Sequence, residues 1–113
     1  MILIQKNGNM NMFDVYLVDL DPIRGAEMNK TRPAVIVSPL PMNKNLKTVI
    51  IAPLTHTIRG YPSRVTTLFN DQPGEVVLDQ IRAVNKSRLK KKVGTIDPST
   101  ALKIKKILQT MFA

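Results

Sequence analysis

The sequence predicts a small β-barrel with one helix at its C-terminus. Three observations carry this reading. Short apolar and β-branched runs alternate with loops rich in proline, glycine and asparagine. One amphipathic helical stretch closes the chain. No linker, repeat or low-complexity tract divides the 113 residues, so the chain reads as one domain over residues 13–113, with residues 1–12 as a flexible N-terminal arm.

The elements follow in order. Phe13–Leu20 (FDVYLVDL) is rich in apolar and β-branched residues and reads as a strand, and Asp21–Arg32, with Pro22 and Gly25, as a loop. Pro33–Ser38 (PAVIVS) is a short apolar strand suited to a barrel interior. Pro39–Asn45, with two prolines, reads as a loop, and Lys47–Leu54 (KTVIIAPL) as the third strand. After a loop at 55–62, Ser63–Phe69 and Glu75–Leu78 form a hairpin around the turn residues Asn70–Gly74, and Gln80–Val84 continues the sheet. Asp97 is a good N-cap and Pro98 suits the first helical position. Beyond them Ala101, Ile104, Leu108 and Met111 share one stripe, with Ile107 beside it.

Composition removes several classes of chemistry. Without cysteine there is no disulfide, thiolate metal site or cysteine nucleophile. A single histidine, His56, removes any histidine-cluster metal site, and no cofactor is expected. Three Phe, two Tyr and no Trp are too few for a sheet-borne base-stacking platform. No apolar run approaches the roughly 20 residues that span a bilayer, and no signal-peptide core is evident, so a cytoplasmic protein is expected.

Charge is the strongest global signal. Seventeen Lys and Arg against eight Asp and Glu leave a net charge of +9, a field that attracts polyanions. From Arg82 to Lys106 the only acid is Asp97, and the run Arg88-Leu-Lys-Lys-Lys92 reads as a solvated basic face. Nucleic acid is the first candidate partner and an acidic protein the second.

Two segments could carry chemistry. The first loop gathers Arg24, Glu27, Lys30 and Arg32 around Gly25. Because Arg32 precedes Pro33 its backbone is biased to an extended form, which launches its side chain from the start of a strand. Thr55-His-Thr57 leaves the end of the third strand, where hydroxyls could bind a phosphate oxygen.

Taken with Asp14–Pro22 (DVYLVDLDP), Gly25-Ala-Glu27, Arg32–Pro39 (RPAVIVSP), Ala52-Pro-Leu-Thr55, Gly60-Tyr-Pro62 and Asp79-Gln-Ile-Arg82, these segments resemble the MazF/PemK/Kid family of toxin ribonucleases, in the family's order over about residues 13–112. The resemblance implies an SH3-like barrel, a homodimer, metal-independent cutting of single-stranded RNA at short sequences, and inhibition by an acidic, partly disordered antitoxin. By position, Arg32 and Thr55 match the family's catalytic pair and Glu27 an acid of the same site. Asp79 matches an acid used by some members. Arg24, Lys30, His56, Arg59, Asp79 and Gln80 are the expected substrate contacts. The chain departs from some relatives at Ala26 (Ser or His there), Val77 (a catalytic Arg) and Phe13 (usually Gly).

The implied chemistry suits the residue types. The RNA 2′-OH attacks the adjacent phosphorus and expels the 5′-oxygen, leaving a 2′,3′-cyclic phosphate and a 5′-OH. A guanidinium at Arg32 matches phosphate oxygens and stays charged, Thr55 can donate to a non-bridging oxygen, and Glu27 is the leading base. Two other readings compete: a catalytically inactive member that only binds RNA or antitoxin, and a same-fold, CcdB-like gyrase poison without enzymatic activity.

Overall fold

The computed structural model describes residues 9–20 and 31–113. Among them the elements run β1 (Asp14–Asp19), β2 (Thr31–Ile36), α1 (Leu40–Asn45), β3 (Thr48–Thr55), β4 (Arg64–Phe69), β5 (Gln72–Val77), β6 (Arg82–Asn85), β7 (Leu89–Thr95) and α2 (Pro98–Met111), with single 3-10 turns at Leu78–Gln80 and Lys86–Arg88. The strands form a curled antiparallel half-barrel in the order β4-β5-β3-β2-β1-β7. Strand β3 is its hub. One edge pairs with β2, and the other pairs with β6 along Thr48–Ile51 and with β5 at Leu54 and Thr55.

Successive residues of a strand face opposite sides of the sheet, so β3 feeds two cores. Ala52, with Ile50 and Leu54 at the margin, joins Val15, Val35, Val65, Val76 and Leu78 in the core that α2 covers through Ile104. Val49 and Ile51 join Val18, Ala34, Ile36 and Val84 on the other face. The expected strands at 13–20, 33–38, 47–54 and 63–69 are present with boundaries moved by a residue or two.

Three local expectations are corrected. Residues 40–45 form a helical turn rather than a loop, because Pro39 and Pro41 suit a helix start and Asn43 is buried there, donating to the Met10 and Ser38 carbonyl oxygens at 2.7 and 2.9 Å. The hairpin turn is two residues, Asn70 and Asp71 at φ 52° and 62°, and Pro73 and Gly74 belong to β5. Asn and Asp tolerate that left-handed backbone, and the pair after the closing pair of such a hairpin exchanges no hydrogen bonds, so Pro73 opposite Leu68 loses none to β4. Arg88–Lys92 is the solvated basic face read from sequence, with Lys90, Lys91 and Lys92 exposed; most of it forms strand β7 on β1, where Leu89 and Val93 turn inward. Met111, expected on the apolar stripe, is 38% exposed and lies past the part of α2 that covers the core.

The helix start is as expected. Asp97 Oδ2 accepts from the Thr100 N–H at 3.1 Å and the Ser99 hydroxyl at 2.7 Å, and Oδ1 accepts from the Thr100 hydroxyl at 2.6 Å. The Thr100 side-chain bond, then those of Ser99 and the Thr100 backbone, lower the Asp97 pKa to about 2. A carboxylate with a depressed folded value stabilises above its unfolded pKa and loses that contribution as pH falls toward the folded one. Asp97→Ala is therefore expected to cost about 1 kcal/mol at neutral pH. The difference from wild type, read by urea melts, should shrink between about pH 4 and pH 2.

Candidate active site

The pairs Ala34↔Pro53, Val35↔Ala52 and Ile36↔Ile51 hold one register between β2 and β3. Continued two residues past Ala34, that register leaves Arg32 and Thr55 at the same end of the sheet and on the same face. Pro33 produces this arrangement locally: it keeps the chain extended, so Arg32 is already in β2, opposite Val18 of β1, and exposed.

A cleft of about 280 Å³ opens beside Thr55 on this face, lined by Pro53, Thr55, Thr57, Arg59, Arg64, Val77 and Gln80. Its wall is the 56–63 loop. The Thr57 N–H donates to Thr55 Oγ1 at 3.2 Å, and the Arg59 and Gly60 N–H groups donate to Glu75 Oε2 at 2.9 and 2.7 Å. Arg64, opposite Val77 in the β4–β5 ladder, donates from Nε and Nη2 to the two Asp79 carboxylate oxygens at 3.1 and 3.3 Å. Its guanidinium also lies 4.8 Å from the centre of the Tyr61 ring. The Arg64 hydrogen bond, with a further one from Ser63, holds the Asp79 carboxyl below the ordinary carboxylate range and raises Arg64 in turn.

The expected site residues thus separate into groups. Thr55, Arg59 and Gln80 share the cleft; Arg32 is not among its lining residues and pairs with Val18 of β1, beyond the last β2–β3 pair, Ala34 with Pro53. Asp79 is tied to Arg64 and Ser63 at its margin. His56, one residue after Thr55, points the other way: its Nδ1 lies 3.4 Å from the Pro73 carbonyl oxygen, and it lines a separate, largely apolar cavity of about 220 Å³ with Leu17, Leu54, Phe69 and Val93. Arg24, Glu27, Lys30 and Ala26 lie outside the described residues.

Two residues, Arg64 in the cleft and Glu75 behind its wall, carry more than their sequence context suggested. Glu75, read from sequence only as the start of a strand, is 1% exposed, and Arg64 lies against two carboxylates. A signal existed: Glu75 stands in the apolar run Gly74-Glu-Val-Val-Leu78, and a carboxylate inside a sheet must find donors.

A curled antiparallel half-barrel with one C-terminal helix, and with Thr55 at the end of its central strand beside Arg59 and Arg64, defines a class of small basic barrel-like domains. The sequence profile described as "PemK-like, MazF-like toxin of type II toxin-antitoxin system" matches residues 11–112. Endoribonuclease toxin MazF of Escherichia coli K12 is 32% identical over 96 residues, covering 84% of this chain and 86% of that one. Endoribonuclease MazF of Staphylococcus saprophyticus is 38% identical over 90 residues, covering 74% and 75%. A solved mycobacterial endoribonuclease in complex with its cognate antitoxin superposes with a TM-score of 0.77 at 30% identity, over 91% of this chain and 94% of that one. The chain belongs to the PemK-like, MazF-like toxin family of type II toxin–antitoxin systems.

Proposed function

We propose that the protein is a metal-independent endoribonuclease that cuts single-stranded RNA at short sequences and so arrests translation. The observation that supports this reading is the cation-lined cleft beside Thr55, at the end of the sheet where β2 begins with Arg32, in a chain whose relatives are named endoribonucleases. RNA brings its own nucleophile. The 2′-oxygen forms a bond to phosphorus as the bond to the 5′-oxygen breaks; the 2′-OH proton passes to a base, and the leaving 5′-oxygen takes up a proton from bound water. Arg32 stabilises the charge that builds on the phosphorane oxygens, because its donors form a planar fork that stays protonated. Thr55 donates to a non-bridging oxygen, and Glu27 is the base. Arg24, Lys30, Arg59 and Gln80 bind the strand around the cut, Asp79 contributes through Arg64, and His56 serves as a contact at the far side of the 56–63 loop.

The +9 charge also supports an acidic, partly disordered antitoxin segment that lies in the cleft and competes with RNA, gaining affinity as it orders and losing it with salt. A homodimer is supported by Leu68 on β4 and Leu102 and Phe112 at α2, which are 64%, 66% and 70% exposed. The site of action is the cytoplasm, where the RNA is.

The test is incubation of the purified protein with a long single-stranded RNA in excess EDTA, followed by analysis of the product ends. Discrete cuts ending in cyclic phosphate are expected. RNA that is bound but uncut would favour an inactive member of the family. Neither binding nor cutting would point to a protein target such as gyrase.

A further inference from the structure

Two acids among the described residues are buried, and they are used differently. Asp14, 2% exposed, joins β1 to β7 through Lys92 and Thr95 and accepts from the Asn11 N–H. Glu75 reaches instead from the sheet into the wall of the cleft. Its Oε2 takes both the Arg59 and Gly60 N–H groups, a concave pair of backbone donors made possible by Gly60 at φ 71°. Its Oε1 makes no hydrogen bond and lies 3.7 Å from Arg64 Nη1. Burying a carboxylate is costly, and a plain apolar residue would fill a sheet interior without that cost.

We infer that Glu75 is a positioning residue for RNA selectivity: it locks the Arg59–Gly60 backbone and ties it by charge to the Arg64 guanidinium, which Asp79 holds from the other side, in one rigid wall. This rests on the ribonuclease reading above. The wall carries the groups suited to reading bases. Arg59 lines the cleft, and Tyr61, half exposed with Arg64 on its ring, offers a surface on which a splayed base can stack. Seven residues, Thr57–Ser63, connect Thr55-His56 to Arg64, and without an anchor such a loop samples many conformations. Ordering it in advance removes that entropic cost from RNA binding, and it leaves one cleft shape instead of several. Glu75 touches neither the reacting phosphate nor the bases. It acts through the loop and Arg64.

The test compares wild type, Glu75→Gln and Glu75→Ala on a randomised RNA pool, with the cut ends sequenced, and on one preferred oligonucleotide for kcat and KM. Glu75→Ala removes both interactions; it should broaden the cut-site preference and raise KM about tenfold, with kcat changed far less. Glu75→Gln keeps an oxygen acceptor for the two loop N–H groups and should recover part of both effects. A purely structural role would instead lower the active fraction, and so kcat, with KM and cut-site preference unchanged, and that result would overturn the inference. Should the variants fail to fold, hydrogen exchange on the wild type decides. The Arg59 and Gly60 amides should exchange about tenfold more slowly than that of Ile58. Equal rates would overturn the clamp. Wild-type protein that leaves RNA intact would sink the ribonuclease reading itself, whereas a cutting wild type with indistinguishable variants would sink only the role of Glu75.

Discussion

Arg32→Ala is expected to slow RNA cleavage by about 10²–10³-fold, the usual consequence of removing one donor that meets charge developing in a transition state. The side chain is exposed at the start of β2, away from both cores, so the variant should melt within a degree or two of wild type. Arg32→Lys keeps the charge and loses the planar fork. It should recover only part of the rate, because an ammonium cannot make two parallel bonds to phosphate oxygens. Single-turnover cleavage of one oligonucleotide, beside a thermal melt, separates chemistry from stability. An Arg32→Ala protein that cuts at the wild-type rate would remove Arg32 from the mechanism.

Gly74→Ala is expected to damage stability and cleavage together. A Cβ at Gly74 would sit 2.5 Å from the Thr55 carbonyl oxygen, and the group it meets is backbone, so no side-chain rotation relieves the clash. β3 and β5 must separate where Leu54 pairs with Val76 and Thr55 with Glu75. The strain should cost about 1–3 kcal/mol in urea denaturation. The same movement shifts Thr55 and the Glu75 carboxylate, and a displacement near 1 Å in a reacting site can cost up to about 10²-fold in rate. Arg32→Ala and Gly74→Ala thus differ in kind, the first sparing the fold and the second not. A Gly74→Ala protein as stable and active as wild type would show that the close approach of β5 to Thr55 is not a feature of the molecule in solution.

The candidate site was legible where its causes are local. Pro33 holds Arg32 extended, and the threonines of Thr55-His-Thr57 follow an apolar strand whose end is evident in the sequence. The roles of Glu75 and Arg64 were not legible, because their partners lie far along the chain: Arg59 and Gly60 are about fifteen residues from Glu75, and Asp79 is as far from Arg64. Position 56 illustrates the same limit. Alternation along a strand says that His56 and Thr55 face opposite ways, but not which side holds the cleft.

Taken alone, the amino-acid order settles the class of fold, most of the strands, the Asp97-capped helix and the excess of positive charge. Each follows from short-range causes: side-chain periodicity, capping, proline geometry and composition. Folding in three dimensions adds what those causes cannot reach. It turns a lysine-rich run into an edge strand, because main-chain pairing with β1 outweighs the weak apolar pattern there. It brings β2 against β3 in a register that leaves Arg32 and Thr55 at the same end of the sheet. It also buries Glu75 beneath the loop it holds, since a carboxylate withdrawn from water must take its donors from whatever chain the fold sets beside it.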